Sequence, residues 1–547
     1  MVSHTPAPKK MFKYICKTRI KYLPKIALMT KTNQTPNNKS AKLNLAEYCI
    51  RRWAESDNDK NRTAFTFVDA ENKDTRWTYA EVWQETLQIA YSLAGLNLEP
   101  GDRILLRLPH SPDHAFAFFG AVAAGLAPIP LSPQLTLSEV QVIAADSGAK
   151  GILIDSMHPL DESMSLENIE GISIQEMKKK SKKVPLPTTY SDDPAFFVYT
   201  SGTTSRPKGV VHAHRSVFGR ELVREGWLDF QTTDTTLHAG TINWTYTLGV
   251  GLMDAWRWGS HAVLAGGESN PEKWLPIIER LQVTIFAAVP TVFRQILKYS
   301  KPESHDLKKL RHVLCAGEPL PTTVRDEWAE RCKTPMYESL GMTEISTYIS
   351  NGPRVPVIPG SPGRPQIGRK VAILEPESKS TDPIPNGQIG LLAVHRSDPG
   401  LMIGYWERPD EEKIIYRGDW FIGGDLASMD EDSNIWFNGR SDDIIKSFGF
   451  RLSPPEIENT IAKHPSVNDV AVVGLALDAQ KTIVVACVTP ATDNGLDFAA
   501  LEKFCEVNLA QYKQPHEWIA YQELPRTRNG KLQRNEIVKE LIRARNL

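Results

Sequence analysis

From about Leu43 onward, the apolar residues of the chain alternate between two spacings. Short apolar runs such as TAFTFVD and RILLRL have the length of buried strands. LAEYCIRRWAES and TYAEVWQETLQIAYSL repeat their apolar positions at the three- and four-residue spacing of a helix face. The second helix opens on Thr78 with Glu81 three residues on, the spacing of a reciprocal cap. DHAFAFFGAVAAGLAPIPL, LSEVQVIAADSGAKGILID and WLPIIERLQVTIFAAVP each pass from a helix into a strand. HRSVFGRELVREG and LKKLRHVLCAGEPL continue the pattern. Alternation of this kind predicts an α/β fold with largely parallel sheets.

The character changes near residue 380. PIPNGQIGLLAV and SNIWFNGR read as short strands joined by turns, a β-rich patch. After Arg440 a smaller unit of mixed strands and helices follows, about 100 residues long and large enough to be a domain. The expected architecture is a large N-terminal domain of layered α/β subdomains over residues 43–439, then a small α+β C-terminal domain over 440–547. The boundary is placed in GRSDD, residues 439–443. Residues 1–42 form a basic leader with no acidic residue, expected to be a disordered tail, with Met29 an alternative start and organellar transit a further reading.

Composition narrows the function classes. A formal net charge of −1 gives no global field for nucleic acid or an anionic membrane. The six cysteines are scattered with no CxxC, which points away from a disulfide framework or zinc site and toward the cytoplasm. No apolar run reaches the roughly 20 residues of a membrane span.

The densest chemistry lies in YTSGTTSRPKGVVHAH, residues 199–214. Thr200, Ser201, Thr203, Thr204 and Ser205 can donate to phosphate oxygens, Gly202 and Gly209 allow close backbone approach, and Lys208 adds a charge. Each charge-assisted bond contributes roughly 1.5–3 kcal/mol. The spacing is not that of a Walker loop, and Ser201 lacks the G-x-S-x-G frame of a nucleophile elbow. A Ser/Thr-rich surface turn is the alternative.

YTSGTTSRPKG resembles the phosphate-binding signature of the AMP-forming adenylating enzymes, the superfamily of acyl-CoA synthetases, adenylation domains and luciferases, with Ser205 in place of a glycine. AGEPL (316–320), LGMTE (340–344), GYWERP, GGDLASMDEDSNIWFNGRSDDIIKSFGFRLSPPEIE and PRTRNGKLQR follow in the family's order. The resemblance implies a mobile C-terminal domain, ATP, Mg2+ and CoA, and a small carboxylic acid as substrate. It places Lys531 between carboxylate and α-phosphate, Thr343 on the α-phosphate and Glu344 on Mg2+. Gly317, Glu318, Pro319 and Leu340 would flank adenine, with Asp425 and Arg440 on the ribose. Leu340 stands where an aromatic is usual, a difference of about 1 kcal/mol in nucleotide grip. Asp442 falls at the hinge, and Lys446, Gly449 and Arg451 face CoA. The stretch 238–256 should line the acid, with Trp244 and Tyr246 as a wall and Gly341 leaving room for an acid larger than acetate, medium-chain or aromatic. The function implied is an acyl-CoA ligase; a carrier protein or other acceptor, or a non-catalytic nucleotide-binding regulator, are the alternatives. A homodimer, and no stable membrane insertion, complete the expectation.

Overall fold

The computed structural model describes residues 41–155, 170–200, 207–267, 270–441, 443, 445–447, 450–477, 482–492, 495–527 and 532–545. Its largest sheet contains nine strands. Six of them run parallel: Thr63–Val68, His261–Ala265, Thr235–His238, Ile285–Ala288, His312–Ala316 and Met336–Met342. Asp74–Thr78 closes one edge antiparallel, and Ser346–Ser350 with Arg364–Pro365 closes the other. Ile285–Ala288 and His312–Ala316 are buried at every position, as continuous apolar runs covered on both faces should be.

A second, all-parallel sheet joins Ala127–Pro130, Arg103–Arg107, Gly151–Ile154 and Glu170–Ser173. The helices Tyr79–Ala94 and Pro112–Ala123 share one apolar core. Gly120 lets them approach closely, since a Cβ there would lie 2.8 Å from Ile89. The expected cap is present. The Thr78 N–H donates to Glu81 Oε2 at 2.7 Å and the Glu81 N–H to Thr78 Oγ1 at 3.2 Å, a contribution of about 1 kcal/mol.

The β-rich patch is an antiparallel sheet of Val371–Leu374, Gly390–His395, Trp420–Met429, Tyr416–Arg417 and Ile435–Arg440. Beyond it, the hairpin Ile445–Ser447/Phe450–Leu452 leads into the sheet Val467–Ala476, Thr482–Pro490 and Glu517–Ala520. Helices Pro454–Ile461, Phe498–Asn508 and Arg534–Arg545 cover it. Val472 and Val484 belong to one apolar cluster and Val473 and Val485 to another, so alternate residues of each strand feed cores on opposite faces. Both clusters draw only on residues from Ile445 onward. The small C-terminal unit therefore owns its core, and the fold is mixed α/β with a large N-terminal and a smaller C-terminal domain.

Candidate active site

The hydroxyl-rich loop is carried by the hairpin Pro194–Thr200/Lys208–Ala213, in which Thr200 pairs with Lys208. Ser201, Gly202, Thr203, Thr204 and Ser205 lie outside the described residues. The hairpin is braced from one side. A Cβ at Gly209 would lie 3.0 Å from the Tyr199 ring, and Tyr199 Oη donates to Asp146 Oδ2 at 2.8 Å. Arg408 also pairs with Asp146.

Gly404–Tyr405 adds a third strand to this hairpin. Its tyrosine gathers several of the expected residues. Tyr405 Oη donates to Glu344 Oε1 at 2.7 Å. Lys208 Nζ lies 5.5 Å from the centre of the Tyr405 ring and forms an ion pair with Glu411. Burial raises the Tyr405 phenol first, and the Glu344 carboxylate raises it further, while Arg440 acts in the opposite sense. The hydroxyl therefore keeps its proton and serves as a donor.

Thr343 and Glu344 form the turn between Met336–Met342 and Ser346–Ser350. His212 Nε2 donates to Thr343 O at 2.9 Å, and the His212 ring stacks on Phe196 at 4.7 Å. Burial pushes the His212 pKa down to about 4, so the ring is neutral with its proton on Nε2. The Met402 N–H donates to Glu344 O at 2.7 Å.

Asp425 and Arg440 face each other across adjacent strands, with Arg440 Nη1 3.2 Å from Asp425 Oδ1. Arg440 Nη1 also donates to Gly423 O at 2.9 Å. A Cβ at Gly423 would lie 2.6 Å from Met342, so this strand abuts the end of Met336–Met342. Burial raises the pKa of the buried Tyr348 phenol, and the charges of Asp425 and Glu344 add to that. Leu340 is half-buried and packs on the apolar cluster around Tyr348 and Phe421.

The loop of Gly317, Glu318 and Pro319 follows His312–Ala316. Gly317 holds φ at +98°, and a Cβ there would lie 3.1 Å from Trp244. Glu318 accepts from Thr291 Oγ1 at 3.2 Å and stands 3.8 Å from Arg526 Nη1 of the C-terminal unit. Burial raises the Glu318 pKa, and Arg526 opposes it. Arg526 also pairs with Asp469 at 2.6 Å and bridges to Leu532. Arg526 and Leu532 flank residues 528–531; Lys531 itself lies outside the described residues, as do Asp442 and Gly449. Lys446 and Arg451 are described by backbone alone, paired in the hairpin that opens the C-terminal unit.

A cavity of about 30 Å³ lies beside Thr343 and His212, and Thr245, Leu248, Gly249 and Met253 line it from within 238–256. Trp244 and Tyr246 do not. Trp244 lies against Gly317, and Tyr246 is buried, donating to Leu314 O at 3.0 Å. Trp244 thus packs against the Gly317 loop and Tyr246 is core, and neither lines this small cavity. Gly341 meets a backbone constraint. A Cβ there would lie 2.5 Å from Ser346 O, so the bulged hairpin demands glycine whatever the size of the acid.

Among the described residues no group of three or more His, Cys, Asp or Glu side chains is placed to hold a metal, so Glu344 belongs to no such cluster. One carboxylate suits Mg2+, which takes most of its oxygens from water and substrate phosphates. Sequence reasoning did not single out Tyr405, Glu411, His212 or Arg526. Two of them, Tyr405 and Arg526, lie in the motifs GYWERP and PRTRNGK.

Comparison with known proteins places the chain in a family. The profile described as AMP-binding enzyme matches residues 50–406, and that of the AMP-binding enzyme C-terminal domain matches 456–531. An uncharacterised acyl–CoA ligase of Bacillus subtilis (strain 168), YtcI, is 29% identical over 497 residues, covering 87% of this chain and 93% of that protein. Acetyl-coenzyme A synthetase of the same organism is 30% identical over 524 residues, 90% of each. The crystal structure of the anthranilate CoA ligase AuaEII in complex with anthranoyl-AMP superposes with a TM-score of 0.83 at 26% identity, covering 92% of this chain and 98% of that one.

Proposed function

Because the chain belongs to the AMP-binding enzyme family, we propose that it is an AMP-forming acyl-CoA ligase acting on a carboxylic acid larger than acetate, medium-chain or aromatic. The observation that carries this reading is the convergence on Tyr405: Glu344 accepts its hydroxyl, Lys208 lies over its ring, and Arg440, the partner of Asp425, acts on the same phenol. The name of the YtcI ligase supports the ligase reading, and the anthranoyl-AMP complex supports an acid larger than acetate.

In the first half-reaction an acid oxygen attacks the α-phosphorus of ATP, and the bond to pyrophosphate breaks. In the second, the CoA sulfur attacks the acyl carbon, AMP leaves and the thiol proton passes to solvent. The obstacle is an anion approaching a polyanion, so catalysis is mainly placement of donors and charge. The hydroxyls of Thr200, Ser201, Thr203 and Thr204, with Lys208 and the Gly202 backbone, hold phosphate oxygens. Thr343 holds the α-phosphate, Asp425 with Arg440 the ribose, and Gly317, Glu318, Pro319 and Leu340 the adenine. Mg2+, held at Glu344, would neutralise phosphate charge when bound. Lys531 bridges carboxylate and α-phosphate. Rotation of the C-terminal domain, residues 440–547, about Asp442 then brings Lys446, Gly449 and Arg451 to CoA. The five described cysteines are all buried free thiols, in keeping with a reducing cytoplasm.

The test is a panel of carboxylic acids scored by pyrophosphate release. Release that requires both ATP and acid, followed by thioester on adding CoA, is the expected outcome. Adenylate without thioester would move the acceptor to a carrier protein. Nucleotide binding without acid-dependent turnover would reduce the protein to a regulator.

A further inference from the structure

The cavity beside Thr343 has an ionic wall that the steps above do not use. Arg220 Nε donates to Asp254 Oδ1 at 2.7 Å, Nη2 pairs with Oδ2, and Nη1 donates to Ser346 Oγ at 2.6 Å. The Asp254 side chain has 0% exposure and that of Arg220 8%. Arg220, Ser346 and Gly249 all line the cavity.

The surroundings are built to hold the guanidinium in place. A Cβ at Gly249 would lie 2.5 Å from Arg220 Nη2 and 2.7 Å from Cζ, so any side chain there would displace the head group. Ser346 holds φ at 72°, a left-handed conformation that costs a serine free energy. Arg369, buried against Asp398, donates to the carbonyls of Gly219 and Thr347, the chain neighbours of Arg220 and Ser346. A pair serving stability alone could be replaced by apolar side chains with little loss. Here a strained serine, an obligatory glycine and a second buried pair all fix one guanidinium at a cavity wall.

The chemistry on offer is that of a donor. Asp254 has both oxygens engaged, whereas a guanidinium carries more N–H groups than these partners take. Leu248, Met253 and Ile345 supply an apolar stretch of the same cavity. A hydrocarbon end pressed on this wall would leave buried donors unsatisfied. A second carboxylate would lie beside Asp254, and among the described lining residues Arg220 is already paired with that aspartate.

We propose that the acid activated by this protein carries an uncharged oxygen acceptor at its far end, a hydroxyl, ketone, ether or amide oxygen, bound by Arg220 with Ser346. The inference rests on the acyl-CoA ligase reading and specifies its substrate class. Arg220 and Ser346 are then specificity-determining residues.

The experiment compares near-isosteric acids by kcat/KM for pyrophosphate release. The pairs are 4-methylpentanoate against 4-oxopentanoate and 3-methylbenzoate against 3-hydroxybenzoate, with glutarate as a doubly charged control. The oxygen-bearing member of at least one pair should be preferred by about tenfold or more, because a site built to donate discriminates against analogues that cannot accept. Ser346→Gly relieves the backbone strain while removing the hydroxyl, and should reduce the preference several-fold. The double variant Arg220→Met/Asp254→Leu should abolish it; if that variant does not fold, the wild-type preference and the Ser346→Gly result decide. Preference for the hydrocarbon members, or for glutarate, overturns the inference and leaves the ligase reading standing. Absence of pyrophosphate release with every acid overturns both.

Discussion

Replacing Tyr405 by phenylalanine removes one oxygen from the point where the phosphate-loop hairpin, the Glu344 turn and the 404–411 segment meet. The ring stays, so the face under Lys208 and its 5.5 Å cation–π contact are kept. What is lost is a 2.7 Å hydrogen bond from a neutral phenol to a carboxylate. Bonds to charged groups contribute about 1.5–3 kcal/mol. Tyr405 and Glu344 are both half-buried, which favours the lower end of that range. If Glu344 must be held in one rotamer to serve Mg2+ and ATP, about 1.4 kcal/mol of lost positioning corresponds to a tenfold fall in kcat/KM. The assay is acid-dependent pyrophosphate release titrated with Mg2+ at fixed ATP, with thermal unfolding run in parallel. The expected result is a fall of about tenfold that excess Mg2+ partly restores, with little change in melting temperature. Unchanged kinetics in a folded Tyr405→Phe protein would refute the claim that this hydroxyl orients the metal-binding carboxylate.

Three further outcomes are expected. Lys531→Ala should abolish adenylate formation while sparing thioester formation from supplied acyl-adenylate; equal loss in both half-reactions, followed by product chromatography, would contradict the proposed domain rotation. Asp398→Ala removes the partner of Arg369, whose guanidinium is 1% exposed, and should destabilise the protein by about 3–5 kcal/mol in urea unfolding. Burial lowers the pKa of His110, His212, His214, His261 and His312 to about 4 and that of His114 and His238 to about 3, from an ordinary 6.5. Their contribution is full above pH 6.5 and is lost as pH falls through 4, and through 3 for His114 and His238, about 3 kcal/mol for each by pH 4, so urea midpoints measured between pH 7 and 4 should drop steeply.

The α/β alternation was legible because each helix and strand buries its own face locally. The Thr78 cap and the strands from TAFTFV, RILLR and IFAA stand where the pattern placed them. Ser346–Ser350 was not legible: STYIS carries no alternation, and its pairing with Met336–Met342 depends on a bulge at Leu340 and Gly341. The same bulge places a backbone demand on Gly341 that sequence does not show, since a glycine required by a backbone contact looks in sequence like one left open for a ligand. Trp244 and Tyr246, one residue either side of Thr245, do not line the small cavity that Thr245 lines, because their rings pack against the Gly317 loop and the core. Arg220 and Asp254 are 34 residues apart, and neither belongs to a motif that would have linked them.

The account depends on one nucleotide site shared by Thr343, Asp425 and the 317–319 loop. A crystal structure with an acyl-sulfamoyl adenosine, an unreactive mimic of acyl-AMP, tests it most directly. The account predicts the ribose hydroxyls on Asp425, the sulfamoyl oxygens beside Thr343, the adenine against Gly317 to Pro319 and the acyl chain entering the Arg220 cavity. A mimic bound elsewhere, with Asp425 more than hydrogen-bond distance from the ribose, would contradict it.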